Sequence, residues 1–167
     1  MPNWFMITKP EPRHAIQMIP FDKDGRVLVM HRSDKVRSAK NVWSFPSGLH
    51  KVGETWQECA YRELEEEYGL SIDRLFIIGM YENIAGDDAL DVQSHWIILV
   101  VGAMVPTVTA AVNKEPEKHD KMKLCKIEDL EDSDIFLTEH SFHRTFNRFF
   151  TTHSQVIIDK LRKEVLS

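Results

Sequence analysis

Between Glu58 and Glu67 the chain carries Glu58, Glu63, Glu65, Glu66 and Glu67, with Arg62 as the one basic residue among them. If this stretch is helical, each residue turns about 100°. Measured from Trp56, Glu66, Glu63 and Glu67 then fall at about 280°, about 340° and about 20°, an arc of about 100°. Glu58 and Glu65 fall at about 200° and about 180°, on the solvent side. Like charges three and four residues apart destabilise a helix by about 0.2–0.5 kcal/mol per pair, and no lysine relieves them here. A hard divalent cation converts that repulsion into oxygen ligation. Mg2+ in particular suits a few carboxylates plus the phosphate oxygens of a substrate. The competing reading is a solvated acidic face.

A helix over 55–68 is what must aim these groups. Thr55-x-x-Glu58 is a capping box that starts it, and Gly69 is placed to stop it. Ala60, Leu64, Tyr68 and Tyr61 lie at about 40°, about 80°, about 120° and about 140°, an apolar sector that should face a sheet. Cys59, at about 300°, is expected to pack rather than react. Around this helix, 14–21 and 26–31 read as strands joined at Asp22-Lys23-Asp24-Gly25, an Asp-Gly turn. Residues 42–45, 75–82, 95–105 and 121–127 read as further strands, with 83–94 a polar connection and 106–120 a long loop. Toward the end, Phe142, Phe146, Phe149 and Phe150 recur at helical spacing behind Thr138. Ser154 then reads as the cap of a last helix carrying Ile157, Ile158, Leu161 and Val165. Strands around one charged helix, with a helical C-terminus, predict an α+β or α/β/α architecture.

Composition sets the frame. The chain has 167 residues, 43% hydrophobic and 28% charged, which suits one domain over 1–167, its last part from about 138 a helical extension. A net charge of −5 disfavours broad nucleic-acid binding and anionic membranes, since no surplus cation neutralises phosphates. Trp96 to Val105, the longest apolar stretch, is about half a membrane span. Cys59 and Cys125 form no disulfide framework, so a reducing cytoplasm is the plain expectation. His140 and His143 fall among packing aromatics, and for His95 and His119 an ordinary structural role outweighs a place near a site mouth. The sequence has no Gly-x-Ser-x-Gly elbow, P-loop or dinucleotide fingerprint.

The segment 48–70 resembles the Nudix box: a glycine, five residues, Glu, seven residues, then Arg-Glu-apolar-x-Glu-Glu-x-Gly-apolar. Gly48, Glu54, Arg62, Glu63, Leu64, Glu66, Glu67, Gly69 and Leu70 fill it without mismatch. Trp43-Ser44-Phe45-Pro46 is similar to the strand that leads into the box. The resemblance implies a Nudix-type α/β/α sandwich with a mixed sheet, and Mg2+- or Mn2+-dependent cleavage of a nucleoside diphosphate linked to another moiety. It implies Glu63, Glu66 and Glu67 as metal ligands, one of them also a base, with the Gly48 carbonyl as a further ligand. Arg62 would orient a carboxylate, and Glu54 would fix the loop–helix geometry. The loop Asn113-Lys114-Glu115-Pro116-Glu117-Lys118 resembles that of MutT-like members, which makes Glu115 or Glu117 a candidate metal ligand or catalytic base, with Glu115 set down as the ligand and Glu117 as the base. Arg32, Phe45 and Lys51 are candidate substrate contacts.

The family often has Gly-Gly before the loop and Glu three residues later, where this chain has Ser47 and Lys51. Both departures sit where the loop meets phosphates. The markers of ADP-ribose, dinucleoside-polyphosphate and coenzyme A branches are missing around Ala85 to Asp88 and after His31. Elimination favours a nucleoside triphosphate, standard or modified, over RNA 5′ ends, dinucleoside polyphosphates or nucleotide sugars. The rival class is a non-catalytic nucleotide-binding module, which the retained box carboxylates disfavour. For the C-terminal helical region the sequence leaves three roles: packing on the domain, covering the site, or joining a homodimer.

Overall fold

The computed structural model describes residues 11–37, 40–87, 92–130 and 141–167. Strand β1 (Arg13–Phe21) turns at Gly25, whose φ of 71° only glycine adopts without strain, into β2 (Arg26–Arg32). Short strands β3 (Trp43–Ser44) and β4 (Ser47–Leu49) lead to helix α1 (Trp56–Tyr68). Next come β5 (Arg74–Asp87), β6 (Val92–Met104) and β7 (His119–Lys126). Single 3-10 turns, Val108–Ala110 and Ile127–Asp129, flank β7. Helix α2 (Ser141–Leu166) closes the chain.

Among the described residues one mixed sheet forms, ordered β3-β2-β1-β6-β5, with β4 on β1 and β7 on β2. The β1–β6 pairing is parallel, from Arg13↔Trp96 to Phe21↔Met104, and the others are antiparallel. A helix covers each face, which is why the central strands read as unbroken apolar runs. Ile16, Met18, Leu28, Met30 and Val101 pack toward α1 through Ala60, Leu64 and Tyr68. Their alternates Ile19, Phe21, Val27, Val29 and Val100 pack toward Phe150, Ile157, Ile158 and Leu161 of α2. The expected sandwich is therefore the observed one.

Three expectations need correction. The polar stretch 83–94 is not wholly a connection, because β5 and β6 stay in register from Asn83↔Trp96 to Asp87↔Val92. Cross-strand hydrogen bonds hold that backbone whatever side chains it carries. Ser154 does not start a helix; it lies 7% exposed inside α2. Phe150, Ser154, Ile157, Ile158 and Leu161 keep one buried stripe, so the polar run 151–154 does not break the period. Tyr61 is 46% exposed, while Cys59 and Glu67 are buried, so the buried sector of α1 is turned toward the carboxylates. Thr138 and His140 lie outside the described residues, as do the side chains of Phe142, His143 and Phe146.

Candidate functional site

The helix that carries the acidic run is tied at both ends. Thr55 and Glu58 form the reciprocal capping box, and Gly69 ends the helix at φ 64°. Upstream, Arg62 gathers the loop onto the helix. Its guanidinium donates to Glu54 through Nε and Nη2 at 2.6 and 3.0 Å and to the Leu49 carbonyl at 3.1 Å. Nη1 donates to Glu63 at 2.5 Å and to Glu66 at 3.3 Å. The two-pronged pair that Arg62 makes is thus with Glu54. It holds the Glu54 carboxyl down at about 2, and the same pairing raises the pKa of Arg62.

Downstream, the loop 111–118 is clamped to the C-terminal end of α1. The Val112 and Lys114 amides donate to the carbonyls of Tyr68 and Glu67 at 3.0 and 2.9 Å. Lys114 Nζ donates to the Glu65 carbonyl at 2.8 Å, placing a cation at the negative end of the helix dipole. Inside the loop, Asn113 Oδ1 accepts from the Glu115 amide, and the His119 amide donates to the Glu115 carbonyl. These bonds bring Glu115 and His119 against Glu67.

Two groups of acids result. The inner one comprises Glu67, Glu115 and His119, whose ligand atoms lie within 4.8 Å of one another. Glu67 is 6% exposed and its Oε2 has no hydrogen-bond partner. Burial first, and then the neighbouring Glu115 carboxyl, push its carboxyl up to about 8. Glu115 is also held by Lys118, at 2.7 Å from Oε2. His119 is 3% exposed and burial lowers its pKa to about 4, so it is neutral near pH 7. The outer group is Glu63, partly buried and raised by that burial, with exposed Glu66; Arg62 bridges them. A buried, partnerless carboxylate oxygen beside a second carboxylate and a neutral imidazole fits a divalent cation.

The other expected residues sort clearly. Gly48 abuts Glu63: a Cβ added there would lie 2.1 Å from Glu63 Cγ. Arg32, at the end of β2, is partly buried and within electrostatic reach of Glu67. Lys51 is exposed and near enough to Glu63 to stabilise its charge. Phe45 is a correction: it is fully buried among core residues, 5.4 Å from Phe150 ring to ring, so it cannot line a substrate cleft. Glu117 is exposed and is not one of the three residues of the inner group, though its carboxylate acts on the charge of His119; its main-chain carbonyl accepts from Ser33 Oγ. Sequence reasoning undervalued His119. Its one signal was the spacing Glu115-x-x-x-His119 within a tight turn. Cys59 packs as expected, its thiol pushed up to about 12 by burial.

A NUDIX domain model matches residues 11–150 of the chain. The chain belongs to the Nudix family. Its curated relatives include an RNA pyrophosphohydrolase of Pelagibacter ubique, 40% identical over 55 residues, and one of Legionella pneumophila, 39% identical over 57. Those matches cover 33% and 32% of this chain and 33% of each relative, so the chain spans about a third of the length of the curated relatives it matches. Among solved structures, a MutT protein from Methanosarcina mazei superposes with TM-score 0.65 at 18% identity, over 87% of this chain and 95% of that one. A MutT NUDIX hydrolase from Burkholderia pseudomallei gives 0.59 at 24% identity, over 72% and 88%. At such identities the likeness is one of fold. Within that Nudix fold, α1 with its loop is the box, and the inner carboxylates lie at its C-terminal end.

Proposed function

We propose that the chain is a divalent-cation-dependent pyrophosphohydrolase. Water attacks a phosphorus of a nucleoside triphosphate, one phosphoric anhydride bond breaks, and the products are nucleoside monophosphate and pyrophosphate. The observation that carries this reading is the buried Glu67 with its partnerless Oε2 against Glu115 and His119. Bound there, Mg2+ or Mn2+ neutralises charge on the transferring group and acidifies a water.

The protein's own part is to hold and to position. Glu67 and Glu115 would hold the ion, with Glu63 and Glu66 at the outer edge of the same helix face. Glu63 has the features of a proton acceptor for the attacking water, since burial raises its pKa while Arg62 fixes its orientation. Arg32 and Lys51, both N-terminal to the box carboxylates in sequence, supply the cations for the phosphate chain. Lys51 stands where many family members have Glu, and we assign it to substrate preference.

The local likeness to RNA pyrophosphohydrolases supports a second substrate, a triphosphorylated RNA 5′ end. Lys35, Arg37 and Lys40 are exposed in the segment after β2, where a short RNA backbone would find its cations. Purified protein with Mg2+ and a panel of nucleoside triphosphates and 5′-triphosphate RNA separates the two. Pyrophosphate release from the nucleotides, lost in Glu66→Gln and Glu67→Gln with unchanged circular dichroism, is the expected outcome. Turnover confined to RNA would transfer the assignment to the second substrate. Tight binding without turnover of any anhydride would overturn hydrolysis.

A further inference from the structure

Tyr68 closes α1 and stacks on His119, ring centroids 5.9 Å apart at 23°. Its hydroxyl oxygen lies 3.0 Å from His119 Nδ1 and also contacts Met30 Sδ. An Nδ1–H can donate to that oxygen. With Nδ1 protonated and occupied, Nε2 keeps its lone pair. An imidazole whose other nitrogen is anchored by a protein oxygen is arranged as metal-ligating histidines are. This one is 3% exposed and grouped with Glu67 and Glu115, and Glu67 Oε2 is partnerless there.

We propose that His119 is a ligand of the divalent ion held by Glu67 and Glu115, and that this nitrogen makes the inner site favour Mn2+ and later first-row ions over Mg2+. Tyr68 is then a positioning residue that fixes the imidazole's tautomer and aim. The chemistry is that of donor type: Mg2+ demands oxygen ligands and near-ideal octahedral geometry, whereas imidazole suits transition ions. The inference rests on the hydrolase reading, because it presumes the cation that reading requires. It adds a ligand the box does not contain and a preference that carboxylates alone would not set.

Pulsed electron paramagnetic resonance of the Mn2+-loaded protein reads nitrogen coordination directly. The wild type should show modulation from an imidazole nitrogen, absent in His119→Gln, which still binds Mn2+ with affinity lowered roughly tenfold or more. Mg2+ affinity, from displacement of Mn2+, should change far less. Bound Mn2+ without nitrogen modulation, or modulation that persists in His119→Gln, overturns the ligand while leaving the hydrolase reading intact. Failure of the wild type to bind Mn2+ at all overturns both. Should His119→Gln not fold, Tyr68→Phe retains the imidazole and removes its anchor. It should weaken Mn2+ binding roughly tenfold, with little change for Mg2+; equal weakening of both, or of neither, counts against the proposal.

Discussion

Individual side chains divide the work of the site between holding charge and holding shape. Gly48 belongs to the second kind, since any larger residue must displace Glu63, whose Cγ lies 2.1 Å from where a Cβ would be. Gly48→Ala should lower kcat roughly 100-fold, the effect of misplacing a reacting group by about 1 Å, while melting behaviour changes little. Steady-state kinetics with a thermal melt checks this; a normal kcat would mean that Glu63 has no required position. Glu54 works through Arg62 instead. Its folded pKa of about 2 lies below its ordinary value of 4.5, so the pair stabilises the fold fully above pH 4.5. That contribution is lost as pH falls through about 2, because the unfolded state takes up the proton first. Chemical denaturation of wild type and Glu54→Gln should therefore show a gap above pH 5 that narrows steadily below it. A gap independent of pH would show that the loss in Glu54→Gln comes from packing rather than from the ion pair.

Elements explain which parts of the site were readable before the fold was known. The helix was legible because its signals are local: Thr55 and Glu58 at its start, Gly69 at its end, and three glutamates on one arc. Thr55→Ala removes the reciprocal cap and should cost about 1 kcal/mol in urea unfolding, without altering metal affinity. A loss of Mn2+ binding in that variant would show that the cap also sets the geometry of the carboxylates at the far end of the helix, Glu67 among them. The loop 111–118 was legible only as a source of glutamate. The position of Glu115 beside Glu67 depends on the Val112 and Lys114 amides reaching the end of α1, a pairing between segments separated by all of β5 and β6 that no local pattern encodes. Phe45 misled for a related reason. An aromatic beside a box reads as a stacking surface, and only the packing of α2 shows which face of β3 and the following residue is covered. The single C-terminal helix was hidden by Thr151, Thr152, His153 and Ser154, whose polarity interrupts hydropathy but not the helical period.

At the scale of the molecule, α2 is tied to the site through the core. Phe150 is fully buried, packed 5.4 Å from Phe45 at 40° and 5.4 Å from Phe149 at 80°. Phe45 is followed by Pro46 and by β4, whose Gly48 meets Glu63. Ile157, Ile158 and Leu161 extend the same contact over the sheet, and Arg74 ties the far end to Glu164 at 2.7 Å. We propose from this that 141–167 folds as part of one unit with the Nudix core rather than as a separate appendage. Truncating Phe150 to Ala should destabilise by about 3–5 kcal/mol, the range for emptying a buried aromatic site. Because both helices share one sheet, the loss should appear equally in the far-ultraviolet helix signal and in the fluorescence of Trp43 and Trp56, which lie toward opposite faces. Coincident transitions, shifted together in Phe150→Ala, are the expected result. If the helical signal melted first and left the tryptophan transition in place, α2 would be an independent element. The route from Phe150 through Phe45 to Gly48 would then carry no stability, and Phe150→Ala should leave kcat unchanged below its melting temperature.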